Sequence, residues 1–316
     1  MLAESLIALV GLLSFQAIQE PVPPVFSLHN FPVAKYAAPV VLPPIKKNAD
    51  AYGMEVTAKA AVVVDVASGE ALFRKNADRV YPVASLTKLL TAMTFLDTKP
   101  NLQQEIEILP EDDPHEGKSI FAIHERLSKQ DVLHSLLVGS VNASANVLAR
   151  STGSREAFVR AMNEKARALG MRHATFTDPV GLGADNQASA EDVAMALRAA
   201  LSYPEIREAS AREEIEIKGR VNGRMYQVKT TNLLLKSFLN KQPYRVVAGK
   251  TGSLPEAGFC LAQATRDESG HEVIVVVLGS ENHFVRFQDA KALTAWAFMN
   301  FVWSKKTASL ARLAQN

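Results

Sequence analysis

The sequence predicts an α+β domain in which one antiparallel sheet is built from both ends of the chain and flanked by helices, with an all-helical subdomain inserted between. Three observations predict it. Strand-like apolar runs lie early, at residues 60–66 (AAVVVDV), and late, at 258–265 and 273–278 (VIVVVL). Helical periodicity fills the stretch between them. The 316 residues, 47% of them hydrophobic, suffice for one large core better than for a string of small modules. Strands that bracket a helical middle are most simply joined in one sheet covered by helices.

Taken in order, residues 1–17 are expected to be a signal peptide or N-terminal anchor. Residues 6–15 (LIALVGLLSF) form a ten-residue apolar run, short for a bilayer span and suited to the core of a signal peptide, although Glu4 stands where a positive charge is usual. Cleavage and retention as a membrane anchor both stay open. Residues 18–55 carry Pro21, Pro23, Pro24, Pro32, Pro39, Pro43 and Pro44, a density of missing N–H donors that argues for an extended spacer. The folded domain is then expected over 56–316, with an α/β part at about 56–90 and 212–304 and a helical part at about 91–211.

Within it, residues 67–70 are turn chemistry and 71–74 the return strand of a hairpin. From Ser85 the pattern turns helical, with Leu86, Leu89, Leu90 and Met93 on one stripe. Further helices are expected at 128–138, 142–150, 155–169 and 189–201. Two open on capping patterns, Ser128 with Asp131 and Ser189 with Asp192. Strand character returns at 214–218 and 224–229, then in a hairpin about residues 267–270. An amphipathic helix near 285–302 closes the domain.

The net charge of +2, from 35 basic and 33 acidic residues, gives no concentrated basic face for nucleic acid. Cys260 stands alone in an apolar run, which fits a small buried hydrophobe and excludes an intramolecular disulfide. The seven histidines, His29, His115, His124, His134, His173, His271 and His283, show no ligand spacing, and no metal is expected. Neither a phosphate-binding loop nor a dinucleotide fingerprint is present, so no organic cofactor is expected. Glu111, Asp112, Asp113 and Glu116 are expected to form a solvated acidic turn.

Three short motifs carry chemistry: Ser85-Leu86-Thr87-Lys88, Ser140-Val141-Asn142 and Lys250-Thr251-Gly252. Each alone is weak. A helix cap followed by a solvated lysine would explain the first, a helix–helix turn the second, and a basic turn the third. Their order and local context add specificity, since the first opens a helix, the second lies between helices and the third precedes an apolar strand. Ser85 at a helix start sits where backbone N–H groups favour developing negative charge. Lys88 lies on the same face, and a desolvated lysine can act as the base that a serine nucleophile needs. Ser140 would relay a proton to a leaving amine, and Asn142 would hold the substrate amide and Lys88. A rival pair, Ser144 with Asn146, falls inside the next helix, where packing or capping is the plainer role. Lys250 would supply positive charge for a substrate carboxylate and for the relay. Thr251 adds a hydroxyl, and Gly252 leaves room for a substrate backbone against the strand edge. The backbone N–H groups of Ser85 and Ser253 could form an oxyanion hole.

With these residues in place the chain resembles the low-molecular-weight D-alanyl-D-alanine carboxypeptidase and endopeptidase family of penicillin-binding proteins. The resemblance runs from about residue 60 to 302. It includes Tyr81-Pro82-Val83-Ala84 before the serine, residues 176–182 (FTDPVGL), residues 186–192, residues 231–234, and 256–261 after the third motif. It implies a periplasmic serine D,D-peptidase acting on peptidoglycan stem peptides through an acyl-enzyme on Ser85, with β-lactams as covalent inhibitors. Leu254 departs from the family's usual threonine, which puts the usual hydroxyl contact to a terminal carboxylate in doubt. The further β-rich domain and amphipathic tail of many carboxypeptidases are not seen, and this leans the expectation towards cross-link endopeptidases. A class A β-lactamase shares the motifs but needs a Glu-x-x-Leu-Asn loop, and neither Glu156 nor Glu164 begins one. A non-catalytic wall-binding module on the same fold is the other alternative, against which the intact motifs argue.

Overall fold

The computed structural model describes residues 41–50, 53–113 and 120–304. The apolar N-terminal run, most of the proline-rich segment, His29, His115 and Glu116 lie outside them. In chain order the elements are β1 (Ile45–Lys46), β2 (Ala60–Asp65), β3 (Ala71–Lys75), β4 (Val80–Pro82), α1 (Lys88–Asp97), β5 (Glu105–Glu107) and β6 (Arg126–Ser128). Then follow α2 (Lys129–Val138), α3 (Asn142–Arg150), α4 (Arg155–Ala168), β7 (Gln187–Ser189), α5 (Ala190–Ala200) and α6 (Pro204–Ser210). The chain continues through β8 (Glu214–Lys218), β9 (Met225–Lys229), β10 (Tyr244–Leu254), β11 (Gly258–Asp267), β12 (Glu272–Ser280), α7 (Val285–Asn300) and β13 (Phe301–Val302).

The apolar runs at the two ends pair as expected. The main sheet has the order β10-β11-β12-β2-β3, antiparallel throughout, so β2 from the start of the domain lies beside β12 from its end. Its central strands are continuous apolar runs because both faces are covered. Val62 and Val64 of β2, with Ile274, Val276 and Leu278 of β12, face the core that contains α1 and α5. Ala61 and Val63, with Val273, Val275 and Val277, face a second core formed with Phe287, Leu293 and Trp296 of α7. Burying each such side chain is worth about 1.5–3 kcal/mol.

Packed among α2, α3, α4 and α5, α1 is buried on every side from Lys88 to Phe95. The capping expectations hold: Ser128 and Ser189 accept from the backbone N–H groups of Asp131 and Asp192, and Asp192 completes a reciprocal box. Three elements differ from expectation. The helix predicted from Ser85 begins only at Lys88, because residues Ala84–Thr87 form a 3-10 turn closed by Thr87 Oγ1 donating to Ala84 O at 2.7 Å. Strands β8 and β9 pair only with each other, not with the main sheet. Their strict alternation of buried and exposed residues marks strands covered on one face, and Ile215, Ile217, Tyr226 and Val228 turn into the helical core. The last helix ends at Asn300, and β13 then pairs with β1, which falls in the stretch expected to be spacer. Helix α6 and the short pairs β4–β7 and β5–β6 had no clear sequence signal. No helix among the described residues is long and apolar enough to cross a membrane.

Candidate active site

The 3-10 turn with Ser85, the loop before α3, the end of β10 and the start of α7 meet at a cleft of about 300 Å³. Ser85, Ser140, Thr231, Thr251, Ser253 and Arg286 are among the residues that line it.

The turn carrying Ser85 is held from several sides. Ala84 has a φ of +50°, a conformation a non-glycine residue keeps only where its surroundings impose it. Asn186, fully buried, donates through Nδ2 to Thr87 Oγ1 at 3.1 Å, and its backbone carbonyl accepts from Val83 N at 2.9 Å. Two glycines make the close packing possible. A Cβ on Gly181 would overlap the Ala84 carbonyl, and one on Gly252 would stand 2.8 Å from Val83 O and 3.2 Å from Ser85 N. Gly252, read from sequence as clearance for substrate, is thus the residue that lets β10 lie against the serine turn.

Lys88 spends all three ammonium hydrogens on acceptors: Ser85 Oγ at 2.7 Å, Val180 O at 2.8 Å and Asn142 Oδ1 at 2.9 Å. The Val180 carbonyl is aimed by Asp178, whose Oδ1 accepts from Val180 N at 2.6 Å and Gly181 N at 2.7 Å. Burial pushes the Lys88 ammonium down from the ordinary 10.5 to about 7, against the opposing pull of the Asp178 carboxylate. Such an amine is half neutral near pH 7 beside a serine hydroxyl.

On the other wall, Lys250 donates to Ser140 Oγ at 2.7 Å and to Thr251 O at 2.9 Å. Ser140 reaches it from a loop position with φ of +57°. Burial, then the charges of Lys88 and Arg286, hold the Lys250 ammonium well below its ordinary range. Thr251 Oγ1 donates to Thr231 Oγ1 at 2.6 Å.

All eight residues singled out from sequence therefore stand around one cleft or in contact with its walls. The rival Ser144 does not: it is buried and shares a 2.7 Å hydrogen bond with Ser135, while Asn146 donates to Asp112 O. Glu156 and Glu164 lie exposed on α4, away from the lining. Leu254 packs against the core, so the cleft takes its hydroxyls from Thr230, Thr231, Thr251 and Ser253. Cys260 is buried, and burial pushes its thiol up to about 11.

The sequence reading missed Arg286. It lies in the first turn of α7 and no spacing links it to the three motifs. Its Nη1 donates to Gly252 O at 2.9 Å, and its Nε is buried without a partner among the described residues. Burial lowers its guanidinium to about 10, which leaves it charged at neutral pH. Among the described residues no group of three or more His, Cys, Asp or Glu could hold a metal ion.

Two lysine–serine pairs on one cleft can deprotonate a hydroxyl at one wall and deliver a proton at the other, beside a fixed positive charge. Comparison with known proteins agrees with that chemistry. The D-alanyl-D-alanine carboxypeptidase family, peptidase S11, matches residues 45–282. The D-alanyl-D-alanine endopeptidase of Pseudomonas aeruginosa is 33% identical over 246 residues, 77% of each chain. The D-alanyl-D-alanine carboxypeptidase DacC of Escherichia coli is 30% identical over 259 residues, 78% of this chain and 62% of the relative. Penicillin-binding protein D2 from Listeria monocytogenes, solved in its cefotaxime-bound form, superposes with a TM-score of 0.69 at 28% identity, covering 78% of this chain and all of that one. The fold is that of the D,D-peptidases and penicillin-binding proteins, and the chain belongs to the peptidase S11 family of serine hydrolases acting on D-alanyl-D-alanine of peptidoglycan.

Proposed function

We propose that this protein is an exported D,D-endopeptidase that cuts D-alanyl cross-links of peptidoglycan through an acyl-enzyme on Ser85. The observation that carries the proposal is the fully buried Lys88 with its Nζ 2.7 Å from the Oγ of Ser85, which faces the cleft. In the neutral state Lys88 accepts the Ser85 proton as Oγ attacks the D-alanyl carbonyl. The backbone N–H groups of Ser85 and Ser253 receive the oxyanion. Ser140, bonded to Lys250, passes a proton to the leaving amine as the C–N bond breaks. The proton that Lys88 took from Ser85 replaces the one Ser140 gave up, which leaves Lys88 neutral again. It then deprotonates a water that attacks the ester carbonyl, and hands that proton to Ser85 Oγ as the ester bond breaks. Asn142 holds Lys88 and the substrate amide.

The amino acid that leaves carries a carboxylate beside the scissile bond, and Arg286 with Thr251 receives it. Lys250 was expected to serve both that carboxylate and the proton relay. With its ammonium pushed down and Arg286 charged, the two roles separate, and Lys250 keeps the relay. β-Lactams offer a similar carbonyl and acylate the same Ser85, in keeping with the cefotaxime-bound state of the Listeria relative. The preference for cross-links over terminal residues is supported by the similarity to the P. aeruginosa endopeptidase. Residues 1–17 direct export to the periplasm, residues 18–44 act as spacer, and the peptidase domain follows from β1.

Digestion of purified cross-linked muropeptides, with products resolved by mass, tests the proposal. Monomers released from dimers are expected, absent with Ser85→Ala. Loss of terminal D-alanine with dimers left intact would replace endopeptidase by carboxypeptidase.

A further inference from the structure

His283 stands at the rim of the cleft, one turn ahead of Arg286, and has no part in the scheme above. Its Nδ1 lies 3.0 Å from Arg286 Nη2 and can only accept there, since a guanidinium has no lone pair to offer. The rest of the guanidinium is fixed by Gly252 O at 2.9 Å from Nη1, and it lies over the rings of Phe259 and Phe287. The imidazole thus sets the direction of Nη2, which has a second hydrogen and no other acceptor among the described residues. We infer that His283 is a positioning residue that aims Arg286 at the carboxylate of the departing amino acid, and that it does so only as a neutral ring, so that acid weakens the binding of carboxylate-bearing stem peptides. The inference rests on the peptidase reading above.

A protonated ring carries hydrogen on both nitrogens, cannot accept from Arg286, and would place a second cation beside it. Burial and the Arg286 charge both push the ring below its ordinary 6.5, so it is neutral at pH 7. Phe259 from β11, with Phe284 and Phe287, meets the ring edge-on, and no carboxylate among the described residues forms an ion pair with it. Beyond Arg286, the cations at the cleft among the described residues are Lys250 on the same wall and Lys88 on the opposite one. They gain protons as pH falls, which strengthens anion binding and opposes the effect of His283. A variant that keeps both lysines separates the two.

The test measures Kd for a stem peptide ending in D-alanyl-D-alanine, in the Ser85→Ala background so that binding occurs without turnover, at pH 7.5 and 5.0. With His283 present, affinity should fall at pH 5.0 relative to the His283→Asn protein, by up to about tenfold, the scale of one hydrogen bond to a charged group. His283→Asn, whose amide oxygen can replace Nδ1 as acceptor, should bind as tightly as the His283 protein at pH 7.5 and show no loss in acid. His283→Leu should bind about tenfold more weakly at pH 7.5. An acid loss in His283→Asn equal to that of the parent, or full affinity in His283→Leu at pH 7.5, overturns the inference. Fluorescent penicillin on the protein with Ser85 intact keeps the two readings apart. An unlabelled protein sinks the peptidase reading, whereas a labelled protein whose Ser85→Ala form binds no stem peptide sinks this inference alone.

Discussion

The two lysine–serine pairs of the cleft are alike in distance and unlike in support. Lys88 and Lys250 are both buried, and each Nζ lies 2.7 Å from a serine Oγ. Lys88 has three acceptors and a carboxylate, Asp178, acting against its desolvation. Lys250 has two acceptors and faces two further cations. The nucleophile wall is built from a turn with Ala84 at positive φ, clamped by glycines and by Asn186, and the opposite wall joins the end of β10 to the loop that holds Ser140 at a φ of +57°. In the proposed scheme one wall takes the proton of Ser85, and the other supplies a proton to the leaving amine and receives its carboxylate.

Ser85→Ala should abolish penicillin labelling, and Lys88→Met should slow it by about 10³-fold or more, because both remove the nucleophile–base pair as a unit. Stopped-flow labelling checks both, and an effect of Lys250→Met as large as that of Lys88→Met would erase the distinction between the walls. Arg286→Met should raise KM for stem peptides by about 10- to 100-fold, with a smaller effect on kcat, as loss of a charge-assisted contact implies. Steady-state kinetics separate the two constants.

Smaller effects sharpen the contrast. Between pH 7 and 10.5 the unfolded chain holds a proton on Lys88 that the folded chain has released. Folding stability should therefore rise with pH across that window relative to Lys88→Met, by up to about 1.4 kcal/mol per pH unit. Urea titrations at pH 7, 8 and 9 read this, and parallel curves for the two proteins would contradict it. Gly252→Ala should cost about 1–3 kcal/mol, since the new methyl presses on Val83 and the Ser85 turn. Thermal unfolding gives the stability loss, and labelling should slow along with it.

Much of this was legible in the sequence because it rests on periodicity and capping. The continuous apolar runs of β2 and β12 announced strands buried on both faces, and Ser128 and Ser189 marked helix starts. The site residues were legible because the chemistry demands a serine and lysine one turn apart. Other features were not. The local sequence does not announce that Ala84 adopts positive φ, since Thr87 closes the turn from within but Asn186 and Gly181 hold it from distant segments. Arg286 reaches the cleft only through the packing of α7 on the sheet. Strands β8 and β9 showed one-sided alternation, yet which layer would cover them depended on α2, whose Val138 carbonyl accepts from Thr231 N at 3.1 Å.

The central claim is that Ser85 is acylated with Lys88 as its base. The most direct measurement is the rate of penicillin acylation as a function of pH, with the adduct located by peptide mass mapping. A single adduct on the peptide containing Ser85 is expected, with a rate that rises as pH increases through about 7, the value to which burial lowers Lys88. Below it the ammonium cannot accept the hydroxyl proton, and above it the amine can. An adduct on another residue, or a rate on Ser85 that is flat between pH 5.5 and 8.5, would contradict it.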